Sequence, residues 1–236
     1  MKKAIVCLSG GLDSAVTLAT AIKEDYDVLA ISFRYPSKHN NHEINAAREL
    51  CRHYQTTWGI CNIEDAFVLY KSALLRDMES PEIPEGHYND ESMAKTVVPA
   101  RNMIFISILV GIAASREINT IFLGVHSGDH HIYPDCRPAF FNAMQRAIQT
   151  ALGIDARISK KDKVILLTPF LHKNKTDIVK QGIELSVPFE LTRTCYKSQE
   201  IACGKCGSCI ERLEAFEQNG IQDPIRYITG DNIKAT

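Results

Sequence analysis

Short runs of almost uninterrupted apolar residues alternate along the chain with longer stretches in which apolar positions recur every three or four residues. Residues 4–8, 28–33, 121–125 and 164–167 form the short runs, rich in Ile, Val and Leu. Their length and composition predict strands buried on both faces, as in a parallel sheet. A fifth, weaker strand is expected over residues 57–63. Leu12, Ala15, Val16, Ala19 and Ile22 share one face of a helix expected over residues 13–24, and residues 42–53 supply another. Residues 102–116 are apolar almost all round, which predicts a deeply buried helix. Further helices are expected over residues 138–152 and 174–182, the second stopped at Gly182 with Pro188 beyond. Strand–helix alternation of this kind predicts an α/β, doubly wound, mostly parallel Rossmann-like sheet.

Residues 65–95 break the alternation with Pro81, Pro84, Gly86 and several acids. Two readings stand: a mobile excursion that covers an active site, or a solvated surface insertion with no role. The 236-residue length suits one large domain, or one domain with an appendage. Lys and Arg, 27 in all, balance 28 Asp and Glu, which argues against a basic nucleic-acid binder working by counterion release. No stretch approaches the ~20 apolar residues of a membrane span, and the nearest, residues 104–114, contains Ser107 and Gly111. Behind Met1-Lys2-Lys3 the apolar run is too short for a signal peptide, so a cytoplasmic protein is expected, with no membrane and no nucleic acid as partner.

The first strand runs directly into Ser9-Gly10-Gly11-Leu12-Asp13-Ser14, where a helix begins. Glycines let the backbone turn tightly beside a ligand, and the free amides of a helix start face an anion with the dipole in favour. Ser9 and Ser14 add neutral donors, and Asp13 can cap the helix or help hold Mg²⁺. The pattern is neither G-x-x-x-x-G-K-[ST] nor G-x-G-x-x-G. S-G-G-x-D-S between the first strand and helix matches the pyrophosphate loop of ATP pyrophosphatases, which split ATP between its α and β phosphates.

Eight cysteines fall into two sets. Cys195, Cys203, Cys206 and Cys209 lie within fifteen residues, with two Cys-x2-Cys steps that suit tetrahedral Zn²⁺. Gly204 and Gly207 are expected to permit the turns between them. Cys206 and Cys209 open a predicted helix with Ile210, Leu213 and Phe216 on its apolar face. Four thiolates leave no open position, so the expected role is structural. An iron–sulfur cluster and a redox pair are the rival readings. Cys7 reads as a small buried hydrophobe, and Cys51 and Cys61 carry no signal.

Two middle loops carry further polar chemistry. Arg101-Asn102 precedes the apolar helix and suits a phosphate or carboxylate, or simply an N-cap. His126, Asp129, His130, His131, Tyr133, Asp135, Cys136 and Arg137 crowd the loop after a buried strand, where open α/β sheets bind ligands. A second metal site on its histidines is a further reading. Lys175 follows another strand end, within reach of a polyphosphate or solvated in a first turn.

S-G-G-L-D-S, V-P-A-R-N, Y-P-D-C-R-P, K-T-D-I-V-x-x-G and Cys-x7-C-G-x-C-x-x-C-x-x-R occur in this order, from about residue 5 to residue 216. Together they resemble the 7-cyano-7-deazaguanine synthase family of queuosine biosynthesis, within the pyrophosphate-loop group. The resemblance implies an adenine nucleotide alpha hydrolase-like version of the fold. A nucleotide-binding and catalytic domain would span residues 1–190, with a zinc-binding C-terminal segment over 191–236 packed on it. It implies a carbon–nitrogen ligase that converts 7-carboxy-7-deazaguanine and ammonia to the nitrile preQ0 through adenylated intermediates, in a homodimer.

Carried over by position, ATP would lie along Leu8, Ser9, Gly10, Gly11, Leu12, Asp13, Ser14, Ala15, Val16, Thr17 and Leu18, bringing Mg²⁺. Ser9, Asp13, Ser14 and Lys175 would serve catalysis, and Arg101, Asp129, Tyr133, Asp135 and Arg137 the substrate. Asp135 or Asp129 would read the guanine-like edge. Cys195, Cys203, Cys206 and Cys209 would hold one structural Zn²⁺ per chain. Tyr35-Pro36-Ser37-Lys38-His39 departs from the family's usual Tyr-Gly-Gln-Arg-His, which weakens a substrate role for that segment. Ala100 stands where glycine is common, and Thr194 where serine is. A thiolation-type tRNA-modifying enzyme shares the loop but needs a cysteine pair and a basic surface. A zinc-ribbon module that senses ATP is the non-enzymatic alternative.

Overall fold

A computed structural model describes residues 2–76, 81–126, 133–153, 163–229 and 232–234. Five parallel strands, β1 (Lys2–Cys7), β2 (Tyr26–Arg34), β3 (Thr57–Asn62), β4 (Thr120–Leu123) and β5 (Ile165–Leu167), form a sheet in the order β3-β2-β1-β4-β5. Each expected strand is therefore present. The order reverses direction between β1 and β4, which opens a crevice at their carboxyl ends.

Successive side chains of a strand point to opposite faces, and both faces of β1 are apolar. Ala4, Val6 and Leu8 pack with α1 (Leu12–Lys23), α2 (Asn40–His53), α6 (Lys175–Glu184) and α7 (Gly207–Gln218). Ile5 faces the other layer, built by α4 (Arg101–Ser115) and α5 (Pro138–Ala151). This two-sided burial is why the strands read as continuous apolar runs.

Helix α4 differs from expectation. Only Ile106, Leu109, Val110 and Ala113 are buried, and Met103 is 51% exposed. Among the described residues no element covers its outer face, so apolarity all round did not mean burial all round. Its N-cap, Ala100, has φ +56°, a left-handed conformation that costs an L-residue about 1–2 kcal/mol. The Ala-for-Gly departure thus falls on a position where glycine would relieve strain.

The described residues of the 65–95 segment are anchored at a few buried side chains, while Val68 and Leu69 are exposed. Phe67, Leu74, Leu75 and Met93 are buried in the α4–α5 layer or beside the cavity. The segment contains an unforeseen short helix, α3 (Asp90–Thr96), with an Asn89–Ser92 capping box. Residues 36–38 pair with it: Lys38 N–H donates to Leu74 O and Arg76 N–H to Pro36 O. The C-terminal segment also belongs to the main body. Ala215 and Phe216 of α7 sit in the α1 layer, and the Arg193 amide donates to Gly10 O at 2.8 Å. Helix α7 turns Arg212 inward, while Leu213, expected on the apolar face, is 36% exposed. The chain ends in a small antiparallel pair that the sequence pattern did not suggest, β6 (Tyr227–Thr229) with β7 (Asn232–Lys234).

Candidate active site

The crevice between β1 and β4 is a cavity of about 300 Å³, and the Ser9–Ser14 loop forms part of its wall. Gly10 has φ +86°, and a Cβ there would stand 2.3 Å from Glu43 O and 2.7 Å from Ala47 N. Only glycine lets α2 pack this close to the loop. Gly11 is the N-cap of α1 and offers no side-chain hydrogen bond, so the first-turn amides remain available to an anion. The expected capping role of Asp13 is therefore not seen. Ser14 Oγ donates to Gly11 O at 2.9 Å, and Ser9 Oγ accepts the Gly11 amide and lies 3.0 Å from Ser14 Oγ.

Asp13 pairs instead with Lys175, whose Nζ lies 2.8 and 2.6 Å from the two carboxylate oxygens. A lysine in the first turn of a helix opposes the helix dipole, so its placement needs compensating anions. Asp13 is one and Glu211, 3.6 Å away, is the other. Burial pushes the Asp13 carboxyl up, but Lys175 and His126 more than reverse this and hold it below the usual range. Burial depresses the Lys175 ammonium, yet Asp13 and Glu211 leave it above its ordinary value.

Along residues 8–18 the chain divides by depth. Leu8, Ser9, Gly11, Leu12, Asp13 and Ser14 line the cavity, whereas Ala15, Val16 and Leu18 are core and Thr17 binds back to Asp13 O. Arg101, Tyr133 and Asp135 also line it. Arg101 donates to Tyr35 OH at 3.3 Å, and Tyr133 OH lies 2.6 Å from Thr96 Oγ1. Asp135 Oδ2 accepts the Asn102 amide at 3.0 Å and so supplies the cap that Ala100 cannot. Arg137 is the N-cap residue of α5 and is absent from the cavity wall. Asp129, His130 and His131 lie outside the described residues, and the histidine metal reading with them.

The sequence reading missed Glu43, Tyr88, Arg193, Tyr196 and Glu211 and discounted His39 with its segment, yet all six are on the cavity wall. His39 and Glu43, four apart at the start of a helix that follows a strand end, offered a usable signal. Tyr88 offered none, since it enters from the inserted segment and donates to Tyr196 OH at 3.0 Å. Of the segment that departs from the family pattern, Tyr35 and His39 line the wall, whereas residues 36–38 do not.

Beside the cavity, the sulfurs of Cys195, Cys203, Cys206 and Cys209 lie within 4.8 Å of one another and all four residues are buried. Cys203 and Cys209 sulfurs are 3.9 Å apart, near the about 3.8 Å that four thiolates at ~2.3 Å around one ion require. Cys195 Sγ accepts the Cys203 amide, and Cys203 Sγ accepts those of Lys205 and Cys206. Such donors suit thiolates, so the donor set fits a metal ion. Cys206 caps α7, as expected of a residue opening that helix. Gly204 has the turn-forming φ of +69°, but Gly207 serves packing: a Cβ there would meet the Tyr88 ring at 2.6 Å.

The family model described as queuosine biosynthesis protein QueC matches residues 3–220. A 7-cyano-7-deazaguanine synthase from Marinomonas sp. is 42% identical over 226 residues, covering 96% of this chain and 98% of that protein. Another, from Pseudoalteromonas atlantica, is 43% identical and covers 96% and 99%. Among solved structures, NMN synthetase from Francisella tularensis is similar at TM-score 0.48 and 15% identity, covering 97% of this chain and 79% of that one. With the family's motifs gathered around one cavity and the match spanning nearly the whole chain, this protein belongs to the QueC family of queuosine biosynthesis proteins.

Proposed function

We propose that the chain is an ATP-dependent ligase that converts 7-carboxy-7-deazaguanine and ammonia to 7-cyano-7-deazaguanine. The observation that carries this reading is the joining of the S-G-G-L-D-S loop, the Asp13–Lys175 pair and Arg101 around one cavity at the sheet's switch point.

In this reading the loop amides, Ser9, Ser14 and Lys175 take the negative charge of the departing pyrophosphate, as electrostatic stabilisation at an anion-binding helix start. A substrate carboxylate oxygen forms a bond to the α-phosphorus as the bond to the β-phosphate oxygen breaks. Arg101, Tyr133 and Asp135 would orient the substrate, and Arg137 and Asp129 are assigned to the substrate in the same reading. Ammonia then displaces AMP to give the amide, and a second adenylation activates the amide oxygen for loss. Asp13 suits both Lys175 and the Mg²⁺ that accompanies ATP.

Zn²⁺ is the metal that best suits four buried thiolates. It would act as a clamp on the C-terminal segment, with no open position for chemistry. A homodimer and a cytoplasmic location are part of the same reading. No single helix among the described residues is long and apolar enough to cross a membrane. The thiolation alternative loses support because burial raises the cavity thiols, Cys7 to about 12 and Cys136 to about 11, away from reactive thiolates.

The direct test incubates the protein with 7-carboxy-7-deazaguanine, ATP, Mg²⁺ and ammonium and follows base and nucleotide by mass spectrometry. The expected products are the nitrile, AMP and pyrophosphate. No mass change in the base at saturating ATP would sink the assignment.

A further inference from the structure

Among the described residues four carboxylates line the cavity: Asp13, Glu43, Asp135 and Glu211. Three have structural or electrostatic work that fixes them. Asp13 and Glu211 hold Lys175, and Asp135 caps α4. Glu43, in the first turn of α2, has no Lys or Arg within ion-pair distance among the described residues. Its near ionisable partner is His39, at 3.5 Å. The Glu43 backbone lies against the pyrophosphate loop at Gly10, and the residue lines the same cavity as Ser9, Gly11 and Ser14 of that loop.

We propose that Glu43 is the proton acceptor for the nitrogen steps of the reaction, an inference that rests on the function proposed above. During amide formation the ammonia lone pair forms the C–N bond and the C–O bond pair leaves with AMP. Glu43 takes the N–H proton that this nitrogen must then lose. During nitrile formation the amide oxygen is adenylated, and the nitrogen gives up its remaining protons in turn. The last N–H pair becomes a C–N π bond while the C–O pair departs with the second AMP. No oxidant or reductant is needed, and the carboxyl returns each proton to solvent before the next is taken.

The surroundings match this task. Burial raises the Glu43 carboxyl to about 7, against the partial opposition of Arg101 from α4, the neighbouring Asn40 amide, and Arg193 from the segment after α6. His39 stays neutral because burial and Arg101 depress it to about 3. Tyr35 just past β2 and Cys7 of β1, the other ionisable groups facing Glu43, are both raised by burial and keep their protons near neutrality. A base is most useful when it titrates near the working pH.

The test separates adenylation from nitrogen chemistry. Carboxylate-dependent exchange of labelled pyrophosphate into ATP needs no proton from nitrogen, whereas conversion of the supplied amide to nitrile does. Glu43→Gln is expected to retain exchange while amide conversion falls by ~10²-fold or more, the usual scale for a lost general base. Wild-type conversion should rise with pH through about 7, and the variant's residual rate should lack that limb; Glu43→Asp should restore part of both. Amide conversion by Glu43→Gln within about fivefold of wild type would overturn the proposal, that remnant being far above general-base loss. Loss of exchange together with conversion would also overturn it, by placing Glu43 in binding. Wild-type protein that shows neither activity would overturn the underlying ligase reading instead.

Discussion

Lys175 carries the most telling conflict at the scale of a residue. It occupies a helix first turn, where a cation is disfavoured, and is only 10% exposed, yet two carboxylates keep it charged. An arrangement that costs this much solvation is most useful when a polyanion arrives. Lys175→Met should lower kcat/KM for pyrophosphate release by ~10²–10³-fold, the scale of a lost electrostatic contact to a leaving group. A change of less than threefold would remove it from the mechanism. The same variant should alter stability against pH. The Asp13 value in the folded chain lies below its ordinary 3.8, so the pair stabilises the fold above that pH. That contribution fades as pH falls through the folded value, and the variant should lack it.

Helix α7 shows how one element can serve both a four-cysteine cluster and a cavity. Its N-terminal end carries Cys206 and Cys209, and one turn later Arg212 points inward. Asp223 takes two bonds from this guanidinium, at 2.6 and 2.8 Å, while Thr192, Thr194 and Phe189 O take the others. Asp223 also accepts from Tyr227 OH at 2.6 Å, so the pair ties α7 to the start of β6. Asp223→Ala leaves a buried charge alone and should cost about 3–5 kcal/mol in urea unfolding. Replacing both partners, Arg212→Met with Asp223→Leu, should recover much of that loss. An unchanged midpoint in the single variant would contradict the buried pair.

Across the whole molecule, the metal segment and the inserted segment close one cavity between them. The Gly86 amide donates to Lys205 O, Lys197 pairs with Glu85, and Tyr88 packs on Gly207 and bonds Tyr196. Losing the metal should therefore loosen the cavity wall as well as the tail. Cys206→Ser should drop metal below one ion per chain, lower Tm, and reduce turnover; elemental analysis and thermal melts read both. A Cys206→Ser protein with one tightly held ion and wild-type Tm would refute the four-thiolate site.

What the sequence by itself determined was whatever local pattern or fixed spacing encodes. The five strands of the sheet, the loop between β1 and α1, and the four clustered cysteines needed no distant partner to be recognised. Where the reading fell short, a long-range contact made the decision. Nothing near Lys175 in sequence announces Asp13, 162 residues away, and nothing near Tyr88 announces Tyr196. Helix α4 reads as apolar all round, yet Met103, Ser107, Gly111, Ala114 and Ser115 are exposed, because burial depends on whether another element covers a face. Glu43 is an ordinary helix acid until the fold sets its backbone beside Gly10 and, among the described residues, leaves the other cavity carboxylates engaged. Side-chain chemistry can be read from the chain, but solvent access and partners, which set its charge and role, arise only when the elements pack.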